Sequence, residues 1–110
     1  MKKKTYATRV YHYLNRVYFD DVLPPVKFKF VNDATFGGMA VSDGETFFHI
    51  IFSTAFHYDY VEIMLHEMCH IFQFVTGGKD QHGKTFKEIA LDISQRSGYY
   101  IQKHQEMEWR

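Results

Sequence analysis

The chain has little of several features that often settle a reading early. It holds one cysteine, Cys69, so an intrachain disulfide is excluded and so is a cysteine-built zinc module. A lone thiol fits a reducing compartment. Its two prolines are adjacent, Pro24-Pro25. Charge of neither sign prevails: 13 basic and 13 acidic residues give a formal net charge of zero. That balance weakens any reading as a dominantly non-specific nucleic-acid binder. No window nears the roughly 18 continuous apolar residues that a membrane span requires. The start, MKKKTYATRV, has charge but no apolar stretch behind it, unlike a secretory signal. A soluble, cytoplasmic protein is expected.

What is present points to a packed globule. The chain is 45% apolar and 18% aromatic, and its 110 residues suit one domain spanning 1–110. The charge is unevenly spread: Lys2, Lys3, Lys4, Arg9 and Arg16 all precede the first acid, Asp20. Such a run is either a solvated terminus or a face for weak DNA contact.

Periodicity gives the elements. Tyr6, Val10, Tyr13, Leu14, Val17 and Tyr18 recur as one face of a helix from Thr5 to about Phe19, with Arg9 and Arg16 on the other side. Pro24-Pro25 ends it and forces an extended path into the alternating strand Val26 to Val31. Gly37-Gly38 and Asp43-Gly44 punctuate short strands, and Thr46 to Phe52 is a dense β-branched and aromatic run, expected to be the best-buried strand. A long helix follows, opened by Asp59 with Glu62 three residues on and stopped by Gly77-Gly78. After a loop, Lys79 to Gly83, a third helix carries Phe86, Ile89, Ala90 and Ile93 and closes at Gly98. The order predicts an α+β domain: a small mixed or antiparallel sheet packed against about three helices.

The second helix contains His66-Glu67-Met68-Cys69-His70, an HExxH motif. Two histidines four apart are rotated by about 40° and separated by about 6 Å of rise, so both rings reach one ion. Glu67, one step around, is directed at a metal-held water, where it can act as base. With seven histidines in the chain, the motif would arise by chance in about 0.02 of shuffled sequences. On a helical wheel Val61, Met64, Leu65, Met68, Ile71, Phe72 and Val75 form the expected core face. His66, His70, Asp59, Glu62 and Gln73 lie opposite, and Ile63 and Phe74 flank the histidines as walls of a cleft. Candidates for a third ligand are His12, His49, His57, His82 and His104; His82 follows the helix stop closely enough to fold back. Cys69 falls at the core edge as a buried, inert thiol.

The chain resembles the SprT-like zinc metallopeptidases, the Spartan-type protease domain, from about Tyr11 to Ala90. The resemblance is carried by Tyr18-Phe19-Asp20-Asp21-Val22-Leu23-Pro24-Pro25, by the HExxH segment, and by Asp80-Gln81-His82-Gly83-Lys84-Thr85-Phe86. It implies a zincin-like minimal protease fold, Zn2+ as cofactor, His82 as third ligand beside His66 and His70, and Glu67 as catalytic base. Gln81 stands where the family commonly has glycine, and Asp21 where it often does. The cysteines of the C-terminal zinc ribbon found in many members are absent.

Two readings follow. One is a zinc-dependent endopeptidase acting on protein substrates, DNA-associated proteins among them. The other is a catalytically silent, metal-stabilised module that binds a protein or DNA partner. For an enzyme, Thr46 to Phe52 either offers an open edge to an extended peptide or lies centrally and offers none.

Overall fold

The computed structural model describes residues 3–43, 46–55, 59–77, 83–99 and 101. Among these residues, three helices and a three-stranded mixed sheet form an α+β fold.

Helix α1 (Lys3–Tyr18) buries Ala7, Tyr11, Leu14 and Asn15. Its core face is turned from the expected one, since Tyr6, Tyr13 and Val17 are 62%, 54% and 38% exposed. A face chosen by counting large apolar side chains misses small Ala7, and tyrosines tolerate water at their hydroxyl end. The helix ends in two left-handed residues, Asp20 (φ 52°) and Asp21 (φ 60°). Asn15 holds this reversal. Its carboxamide donates to the Leu23 carbonyl (3.0 Å) and accepts from the Leu23 N–H (3.2 Å). Its own carbonyl accepts from Phe19 and Asp21 N–H, both at 3.0 Å. The Tyr11 hydroxyl donates to the Pro24 carbonyl at 2.5 Å. The Pro-Pro pair is thus tied to α1, and the chain leaves it extended.

Strands β1 (Lys27–Val31), β2 (Gly38–Ser42) and β3 (Phe48–Ser53) assemble in the order β1-β3-β2. β3 pairs parallel with β1 (Phe28 opposite Ile50) and antiparallel with β2 (Ala40 opposite Ile50). The Thr46 to Phe52 run is therefore central, bonded on both sides, and offers no edge to a peptide. The physical reason is burial: Ile50 and Phe52 are at most 1% exposed, and the middle of a sheet covers a strand best. One sheet face packs on the helices through Phe28, stacked on Phe52 at 6.2 Å and edge-on to Tyr11 at 5.7 Å.

Helix α2 (Tyr60–Thr76) starts where the Asp59 carboxylate accepts the Val61 N–H at 2.8 Å and ends at Gly77, φ 81°. Helix α3 (Lys84–Ser97) runs from Gly83 to Gly98, φ 80°, and buries Phe86, Ala90 and Ile93. α2 is enclosed nearly all round, with every residue from Ile63 to Cys69 buried. The wheel's division into a core face and an outer histidine face is corrected here. His66, Glu67 and Gln73 are each 3% exposed, Ile63 turns into the core at 1%, and Val75 is 40% exposed. Ile63 is thus no wall of an open cleft. Among the described residues, no helix is long and apolar enough to cross a membrane.

Candidate metal centre

β2 and α3 close over the histidine face of α2, burying His66, Glu67 and Gln73 and leaving His70 half-buried. β2 contacts α2 more extensively than either other strand does, and the α3 residue Phe86 is fully buried against both imidazoles. The Phe86 ring lies 4.9 Å from His66 and 4.7 Å from His70, near-parallel to the latter at 27°. The two imidazoles stand 5.0 Å apart, edge to face. Sequence periodicity gives Phe86 as core; its role as a wall that fixes both rings was not foreseen.

His66, Glu67 and His70 offer ligand atoms all within 4.8 Å of one another. Their chemistry fits a divalent zinc ion. Two imidazole nitrogens four residues apart are a zinc donor pair, and a third protein ligand would leave a position for water. The tautomer at His70 is set by a neighbour. Its Nδ1 lies 3.0 Å from the Gln73 Oε1, so Nδ1–H donates there and the ring's lone pair is carried by Nε2. Gln73, placed by the wheel beside the histidines, is the buried partner that orients the His70 ring. Sequence reasoning put it on the right face without seeing that task; its spacing of three from His70 was the available signal.

Glu67 sits in the same enclosure. Burial pushes its carboxyl up to about 8, against an ordinary 4.5, and the Ala40 N–H donating to the carboxylate offsets part of that rise. Burial also pushes the Cys69 thiol up, helped by the Glu67 charge, which fits an inert core sulfur.

The other expected residues distribute as follows. His49 is half-buried on β3 beside Phe47, and His12 is exposed on α1; neither joins the group. His57, His82 and His104 lie outside the described residues, as do Lys2, Gln81 and Tyr100. Gly83, next to His82, caps α3, and Phe86 three residues on touches both imidazoles.

A search of curated proteins finds no match. The sequence profile of the SprT-like family matches residues 7–106, nearly the whole chain, and with it the α2 histidines and the His82-Gly83 segment. This chain belongs to the SprT-like family.

Proposed function

We propose that the chain is a zinc-dependent endopeptidase hydrolysing peptide bonds in protein substrates, DNA-associated proteins among them. The observation that carries this reading is the His66-Glu67-His70 group, two of its members buried and His70 half-buried, with ligand atoms within 4.8 Å. A purely structural zinc site needs no carboxylate beside its imidazoles. His66 and His70 would hold the ion, with His82 as third ligand. Support for His82 is tethering: successive Cα atoms are about 3.8 Å apart, and Gly83 begins the helix whose Phe86 lies on both rings.

Zinc bound there would supply an acidified water and a Lewis acid for the scissile carbonyl oxygen. Glu67 takes one proton from the water as its oxygen bonds to the carbonyl carbon. The same carboxyl then gives that proton to the amine nitrogen as the C–N bond breaks. Burial favours the protonated carboxyl, which suits its role as donor to the amine nitrogen, and the positive charge of bound zinc would favour the carboxylate that accepts the water's proton.

A DNA partner is the second part of the proposal. The exposed face of α1 alternates Tyr6, Arg9, Tyr13 and Arg16, with the Arg16 guanidinium 5.9 Å from the Tyr13 ring. Cations interleaved with aromatic rings suit phosphates and bases together.

The test is zinc content of the purified protein beside His66→Ala, His70→Ala and His82→Ala, with cleavage of an unfolded protein substrate measured in parallel. One zinc per chain is expected, lost in the first two variants and weakened or lost in the third. Stoichiometric zinc in His66→Ala or His70→Ala would overturn the site.

A further inference from the structure

We infer that the outer strand β2 sets the position of the Glu67 carboxylate, and that Gly38 is a positioning residue for it. The inference rests on the endopeptidase reading for its consequence, but its geometry stands apart from it. The Ser53 N–H bonds the Gly37 carbonyl at 2.8 Å, and Gly38 lies opposite Phe52. Bonded and non-bonded pairs alternate along an antiparallel ladder. Gly37 faces Ser53 as a bonded pair, so Met39 and Val41 bond to β3, while Gly38, Ala40 and Ser42 turn their backbone groups outward. The outward N–H of Ala40 meets the carboxylate of Glu67.

Gly38 is the second half of the device. A Cβ on Gly38 would stand 2.5 Å from Ile63 Cγ2, 3.1 Å from Glu67 Oε2 and 3.5 Å from Glu67 Cγ. Ile63 and Glu67 are one helical turn apart, so they share the face of α2 that β2 crosses. The missing side chain lets the strand descend onto the helix far enough for Ala40, two residues on, to reach the carboxylate. A glycine kept only for packing would be crowded by Ile63 alone. Here the second neighbour is an oxygen of the carboxylate that must accept the proton. One oxygen-directed bond from a rigid strand removes the carboxylate's freedom to swing, which a general base in a closed site requires.

Two measurements on the full chain separate this from the reading it deepens. The first is amide hydrogen exchange, which needs no catalysis. In Glu67→Ala the Ala40 amide should exchange about tenfold faster or more, the scale of one lost hydrogen bond, while Met39 and Val41 hold. An Ala40 amide indifferent to Glu67→Ala overturns the inference even if the protein cleaves peptides. If wild type cleaves nothing while Ala40 responds, the positioning stands and the endopeptidase reading falls. The second uses Ile63→Ala as background, because Gly38→Ala alone collides with Ile63 and can simply unfold. Ile63→Ala opens that space and leaves the approach to Glu67 Oε2 in place. Adding Gly38→Ala should then lower kcat severalfold, up to about tenfold, the scale of a catalytic group shifted by a fraction of an ångström, with zinc content and KM unchanged. A double variant with the kcat of Ile63→Ala overturns the role of Gly38.

Discussion

At the scale of single residues, Glu67 decides most. Replacing it with Gln keeps the shape and removes the proton acceptor, so zinc content and fold should persist. Hydrolysis should fall by about 10²–10⁴-fold, measured as kcat on an unfolded substrate. The buried carboxyl also predicts a pH dependence of the metal-free protein. Its folded pKa, about 8, lies above the ordinary 4.5. Between those values the folded state binds more protons than the unfolded state, so stability falls as pH rises through that window and levels above it. The loss is a few kcal/mol at most. Denaturant titrations of metal-free wild type and Glu67→Gln at pH 5 and 8 isolate it, because the Gln variant should lose that share of the slope. An equal slope in both would place the titration elsewhere. Gln73 supplies a third test: Gln73→Leu removes the acceptor for His70 Nδ1–H and should weaken zinc by about 10–100-fold in chelator competition. His66, Glu67 and His70 were legible in the sequence because their spacing is itself the geometry. The wall made by Phe86 was not, because it depends on how α3 docks.

At the scale of elements, the helices were legible through their ends and the sheet only in part. Asp59 and Gly77 act as read, one through a carboxylate on Val61 N–H and the other through a left-handed φ of 81°. Strand order was hidden because alternation reveals which residues share a face but not which strand lies beside which. That choice follows from the long-range pairing of β3 with both β1 and β2. The face of α1 was misjudged because Asn15 and Ala7 look neutral in a hydrophobic count, yet Asn15 closes the reversal through two hydrogen bonds to Leu23. That reversal makes a prediction. Asp21 sits at φ 60°, in the left-handed region that favours glycine. Asp21→Gly should leave stability unchanged or raise it by up to about 1 kcal/mol, as relief of strain offsets the greater freedom of the unfolded glycine. Asn15→Ala should cost about 1–3 kcal/mol, because the buried Leu23 N–H and C=O lose their partner together. Thermal or denaturant unfolding of both variants decides whether the turn is held as described.

At the scale of the whole molecule, a net charge of zero conceals a segregated field. No acid occurs before Asp20, and Lys4, Arg9 and Arg16 are exposed along one helix. At physiological salt, charges farther than about 8 Å are largely screened. A strand of DNA laid on α1 therefore responds to the local cations more than to acids on the far side. Tyr6, Arg9, Tyr13 and Arg16 follow at intervals of three, four and three, so they form one stripe, about 15 Å from end to end at 1.5 Å per residue. Counterion release makes the contribution of each cation readable. Replacing Arg9 and Arg16 with Gln should weaken single-stranded DNA binding and flatten the slope of log affinity against log salt by up to about 1.4, at 0.7 per phosphate contact. Tyr6→Ala with Tyr13→Ala should lower affinity while leaving that slope in place, because stacking releases no counterions. Zinc content should be unmoved in both, since neither pair belongs to the His66-Glu67-His70 group. An unchanged slope in the arginine variant, or no binding by wild type at low salt, would remove DNA as the partner of this face.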